Sequence, residues 1–68
     1  MAFAENVKRL RESKGMTQAE LANMIGVTQV MIAQYERGIK TPSFIVGIDL
    51  AKTLGVTCEE LAYGKKGA

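Results

Sequence analysis

Thr17-Gln18-Ala19-Glu20-Leu21-Ala22-Asn23-Met24-Ile25-Gly26-Val27-Thr28-Gln29-Val30-Met31-Ile32-Ala33-Gln34-Tyr35-Glu36-Arg37 is the stretch whose reading decides the fold. Thr17-Gln18-Ala19-Glu20 is a capping box, in which each end satisfies a backbone amide that the first helical turn leaves without a partner. Leu21, Ala22 and Ile25 then give that helix one apolar side. Gly26 suits a left-handed turn, and Thr28 stands where a threonine caps the next helix, expected over residues 28–37. Ala22 is small, as a close crossing of the two helices requires. Ile32 is β-branched and fits as a wedge between them, backed by Leu21, Ile25, Val27 and Tyr35. These are the features by which a helix-turn-helix holds its second helix proud of the surface.

Outward from this stretch the pattern stays helical. Phe3, Val7 and Leu10 recur at i, i+4 and i+7 and mark the inner face of a first helix over residues 4–14. After the Gly38-Ile39-Lys40-Thr41-Pro42 loop, Ser43 caps a fourth helix expected to turn Phe44, Ile48, Ala51 and Leu54 inward, with Leu50 beside them. Gly55-Val56 turns the chain. Thr57-Cys58-Glu59-Glu60 then forms a second capping box, for a short last helix through residue 62. Gly15, Gly26, Gly38, Gly55 and Gly64 each follow a helix-period segment, where a left-handed residue ends a helix. No segment alternates as a strand does. The expectation is an all-α fold of five helices: one domain over residues 1–64, with a frayed tail at 65–68.

Composition narrows the function. Hydrophobic residues make up 47% of the 68, too many for a disordered chain, and no apolar run is long enough for a membrane span. The first residues lack the pattern of a signal peptide, so the expected compartment is the cytosol. With no histidine and one cysteine, Cys58, there are no parts for a zinc site, an internal disulfide or a Cys–His nucleophile. Neither an enzyme nor a cofactor is expected, and Cys58 reads as a small half-buried apolar residue. The net charge is +2. Residues 1–40 hold six basic groups against four acids, and residues 41–68 three of each, so the surplus lies in the first part. That is a mild lean toward a polyanion.

The segments Thr17-Gln18-Ala19-Glu20-Leu21-Ala22, Ile25-Gly26-Val27-Thr28, Tyr35-Glu36-Arg37-Gly38, Thr41-Pro42-Ser43 and Leu50-Ala51-Lys52-Thr53-Leu54-Gly55-Val56 together resemble the Cro/CI-type, or XRE, helix-turn-helix family of phage repressors and bacterial regulators. The likeness runs in order and spacing from about Phe3 to Gly64. It implies a compact lambda-repressor-like DNA-binding domain acting in transcriptional regulation, with repression the expected outcome. It also implies that the first turn and middle of the third helix read bases, which puts Thr28, Gln29, Val30, Ala33 and Gln34 at the DNA. Many relatives carry a polar residue where this chain has Val30, so the operator sequence does not carry over. In phage repressors of this family an arginine and a glutamate at the positions of Arg11 and Glu36 form a partly buried ion pair.

The third helix can also be projected at about 100° per residue. Ile32 and Tyr35 fall together on one side, flanked by Met31 and Glu36. Val30, Ala33, Gln34 and Arg37 fall opposite, with Gln29 near the edge. Two amides among small and apolar groups suit the major groove better than a solvated surface. Gln29 and Gln34 can each pair with adenine, Val30 and the Thr28 methyl can pack on thymine methyls, and Ala33 permits close approach. The second helix aims Thr17, Gln18 and its free amides at a phosphate. Arg37 and Lys40 can clamp the other side of the groove, or simply compensate the helix dipole in solvent.

One such domain touches too few base pairs to select a site in a genome. The expected partner is therefore double-stranded DNA with a palindromic operator, bound by a homodimer whose recognition helices meet half-sites ~34 Å apart. No oligomerisation or effector domain is recognisable. The pairing surface is expected from Ile45, Val46, Leu61 and Tyr63, with Leu61 and one of the first two alternatively core, and control is expected through concentration, cooperative binding, proteolysis or a regulatory protein partner. The competing reading is a protein-binding adaptor on the same fold, which the weak charge and the apolar Val30 and Met31 favour. DNA binding weakens steeply with salt and an apolar protein interface does not.

Overall fold

The computed structural model describes residues 2–64, and the tail expected at 65–68 lies outside them. Five helices follow in order: α1 (Ala2–Ser13), α2 (Gln18–Ile25), α3 (Gln29–Glu36), α4 (Phe44–Leu54) and α5 (Cys58–Tyr63). No strand occurs among the described residues. α1 begins two residues earlier than expected and takes in Phe3, which packs partly against the core as its first inward residue.

Side-chain caps set the starts of the other four helices. Thr17 and Thr57 each complete a capping box with Glu20 and Glu60, Thr28 accepts from the Met31 amide, and Ser43 accepts from the Val46 amide. Left-handed glycines end three of them, with φ of 74° at Gly26, 73° at Gly55 and 83° at Gly64. Elsewhere that conformation would push a Cβ against the following carbonyl, which is why glycine occupies it.

Val7, Leu21, Ile32, Leu50 and Leu54 are fully buried and gather side chains from α1, α2, α3 and α4 into one core, closed by Tyr35, Ala51 and Leu61. α2 packs on α3, and α1 packs on both α3 and α5. Asn6 is the unexpected member: it is buried at 7% exposure, and its Nδ2 donates to the Leu61 carbonyl at 3.0 Å, tying α1 to α5.

Two apolar residues do not sit where periodicity puts them. Phe44, expected inward, is 82% exposed, and Ile48 is only half-buried. Ala51 and Leu54 are buried as their spacing requires, so the face is right. Phe44 and its neighbour Ile45 open α4 and are both exposed, and spacing along one helix cannot tell where its neighbours stop. Cys58 is exposed rather than half-buried, because it opens α5 at the surface.

Candidate nucleic-acid interface

α3 is short and is gripped along one side only. Ile32 is fully buried and Tyr35 nearly so, with Met31 packed partly against the core. On the other side Gln29, Val30 and Arg37 are exposed, Val30 by 65%, while Ala33 and Gln34 are half-exposed. The outward set is thus an amide, a branched apolar group, a methyl, a second amide and a guanidinium, on two turns of helix. Thr28 caps this helix through its hydroxyl oxygen, 3.2 Å from the Met31 amide. That leaves its O–H proton and methyl for any other contact.

The end of α3 is folded back on itself. The Gln34 carbonyl accepts the Ile39 amide at 3.0 Å and the Lys40 amide at 3.4 Å, and Gly38 takes φ 74°. Arg37 and Lys40, both exposed, are therefore carried on a turn bonded to the same helix that presents Gln29 and Gln34. At the start of α2, Thr17 has its hydroxyl oxygen on the Glu20 amide at 3.0 Å and its own amide on Glu20 Oε1 at 2.8 Å. The amides of Gln18 and Ala19 are the ones the capping box leaves free, so anion affinity at this end rests on them more than on Thr17.

An ion pair fixes α3 from behind. Arg11 Nε donates to Glu36 Oε2 at 2.6 Å and Nη2 donates to Glu36 Oε1 at 3.1 Å, a two-point fork between α1 and α3. Arg11 Nη1 donates to the Met16 carbonyl at 2.7 Å, so the turn before α2 joins the same cluster. The side chains of Arg11 and Glu36 are 10% and 3% exposed. The hydrogen bond to Glu36 raises the Arg11 pKa above its ordinary value, against the opposing effect of burial. Sequence reasoning misses the third donor: Gln18 Nε2 also reaches Glu36 Oε1, at 3.1 Å. One of its two amide protons is thereby committed, and the other remains for a phosphate. No local pattern links positions 18 residues apart, so only the folded chain reveals this.

The residues expected on a pairing surface divide. Leu61 is core at 3% exposure, a correction to that expectation, and Val46 is half-buried against the core. Their side chains are used in holding α5 and α4 to the rest. Ile45 and Tyr63 are 71% and 73% exposed.

The geometry has relatives. Residues 7–61 match the family model HTH_3, a helix-turn-helix. The chain is 41% identical over 56 residues to y4dJ, an uncharacterized HTH-type transcriptional regulator of Sinorhizobium fredii, covering 82% of this chain and 73% of that protein. It is 32% identical to YqaE, another such regulator from Bacillus subtilis, over 93% of this chain and 54% of YqaE; it thus spans about half that relative's length. The P22 c2 repressor, solved in complex with a synthetic operator, superposes with a TM-score of 0.91 at 29% identity, over 96% of this chain and 98% of that one. These are regulators rather than enzymes. An all-α five-helix fold, a capped α2, a one-sided α3 and these relatives lead to one conclusion: the chain belongs to the Cro/CI-type, or XRE, helix-turn-helix family of DNA-binding transcriptional regulators.

Proposed function

We propose that the chain is a repressor that binds a palindromic operator in double-stranded DNA as a homodimer, each copy laying α3 in the major groove. The observation that carries this is the outward face of α3, where Gln29 and Val30 are exposed and Ala33 and Gln34 half-exposed. Gln29 and Gln34 read adenine edges, Val30 and the Thr28 methyl meet thymine methyls, and Ala33 lets the helix approach. Phosphates on one side take Gln18 and the free amides of α2, with the Thr17 hydroxyl proton beside them. On the other side they take Arg37 and Lys40. Glu36, close behind the DNA face, would repel a phosphate. Its charge is matched by Arg11 instead.

The likeness to a repressor that binds an operator supports both the partner and the sign of regulation. No helix among the described residues is long and apolar enough to cross a membrane. We place the protein's action in the cytosol, beside the DNA, with control through its concentration, cooperative binding or a protein partner. Fluorescence anisotropy with labelled duplex, repeated across a salt series, tests the reading. Affinity should fall linearly on a log–log plot, with a slope of about −0.9 per neutralised phosphate. Binding that ignores salt would favour the protein-adaptor reading instead.

A further inference from the structure

α2 and α3, of 8 residues each, form two arms joined at one end. The joint is the Gly26-Val27 turn, where the Val27 amide bonds back to the Ala22 carbonyl at 3.0 Å. Each arm is about 12 Å long at 1.5 Å per residue. Leu21 and Ala22 of α2 and Ile32 of α3 meet in the core part-way along the arms. At the far ends a single hydrogen bond spans the gap. Gln18, the first residue of α2, donates from Nε2 to Oε1 of Glu36, the last residue of α3, at 3.1 Å. That bond is a strut across the open side of a triangle. A change of about 1 Å in its length turns an arm of ~12 Å by about 5°.

The strut has a firm footing. The Glu36 side chain is 3% exposed and holds the two-point fork from Arg11, while Arg11 also holds the Met16 carbonyl, two residues before Gln18. Turning the Gln18 amide over would set its oxygen against the Glu36 carboxylate, so the charge behind it selects the orientation with nitrogen inward. An uncharged donor also leaves the Arg11–Glu36 charges balanced.

We infer that Gln18 is a positioning residue for sequence readout: by bonding Glu36 it sets the angle between α2 and α3, and with it the height at which Gln34 meets a base pair. This rests on the reading of α3 as the helix that reads bases. Contacts to phosphate carry no sequence information directly. Through the strut, an anchor of α2 on the backbone acquires some. The effect is graded along α3. Gln29 opens the helix beside the joint and hardly moves, whereas Gln34 lies five residues further out, two from Glu36. A turn of about 5° carries Gln34 by roughly 0.7 Å, which exceeds the ~0.5 Å range of good hydrogen-bond lengths.

Competition anisotropy tests this with the preferred duplex and duplexes mismatched at one base pair, the pairs read by Gln29 and by Gln34 being assigned from their alanine variants. Gln18→Met keeps the length of the side chain and removes its donors. All duplexes should bind more weakly by one shared factor, as the phosphate contact goes. Beyond that factor, the mismatch penalty at the Gln34 pair should shrink about fivefold, the lower end of what one well-placed amide–adenine pair supplies. At the Gln29 pair it should change by under about twofold. Gln18→Lys, which can donate to Glu36 and to a phosphate at once, should restore the Gln34 penalty. Glu36 keeps both Arg11 bonds in each variant, so circular dichroism should show native helix content at the assay temperature. A shared factor with every penalty native would make Gln18 a phosphate contact alone and overturn the inference. Equal losses at both pairs, or a loss that Gln18→Lys leaves unrepaired, would overturn it too, as general loosening. A native chain with no mismatch penalty anywhere would remove base readout by α3 itself, a result distinct from these.

Discussion

Replacing Glu36 by alanine isolates the contact that fixes α3 in place. Three donors converge on its carboxylate: Arg11 Nε at 2.6 Å, Arg11 Nη2 at 3.1 Å and Gln18 Nε2 at 3.1 Å. The variant strands a guanidinium whose side chain is only 10% exposed. Removing one partner of a fully buried pair costs ~3–5 kcal/mol. Arg11 keeps its bond to the Met16 carbonyl and some access to water, so about 3 kcal/mol is the appropriate figure here. A domain of 68 residues has ~3–10 kcal/mol in all, so this is a large share. At ~4–8 °C per kcal/mol the Tm should fall by roughly 12–24 °C, read by circular dichroism at 222 nm. Two controls sharpen the test. Glu12 lies 3.9 Å from the same guanidinium with its side chain 58% exposed, and Glu12→Ala should cost under about 0.5 kcal/mol. The double variant Arg11→Met, Glu36→Leu should recover most of the loss, since apolar pairs of similar volume replace buried ion pairs at little cost. An unaltered Tm for Glu36→Ala would refute the reasoning.

Gly26→Ala separates backbone strain from packing, because φ is 74° there and an added Cβ has nothing within 4 Å to strike. The cost should be ~1–2 kcal/mol of left-handed strain alone, measured by urea denaturation with an unchanged slope. Arg37→Ala and Lys40→Ala should each weaken binding about equally on all duplexes and lower the salt slope by about 1, leaving Tm nearly unchanged. A loss confined to one sequence would move either residue from the phosphates to the bases.

Most of the architecture was legible because it is written in short-range chemistry. The Thr17 and Thr57 boxes, the caps at Thr28 and Ser43, and the left-handed glycines are each specified within about four residues, and each stands as spacing indicates. Ile32 and Tyr35 face inward for the same reason, since a 3.6-residue period sorts one side of α3 from the other. What spacing cannot supply is the extent of neighbouring elements. Phe44 has an inward phase on α4 but lies at its exposed first turn, while Leu61, assigned to a pairing surface, falls on the side of α5 that closes the core. The donation from Gln18 to Glu36 and that from Asn6 to Leu61 join positions far apart in the chain, and were invisible for that reason. The Arg11 fork is as distant, but family resemblance pointed to it where periodicity would not have.

Selection from random duplexes is the most direct test of the central claim that the uncovered side of α3 reads bases. The native chain should enrich a two-fold symmetric motif. Gln29→Ala and Gln34→Ala should each relax the preference at particular positions of every half-site by ~1–3 kcal/mol, roughly fivefold to 150-fold, with Tm and salt slope nearly unchanged. An identical motif from both variants, or no motif from the native chain, would contradict the account.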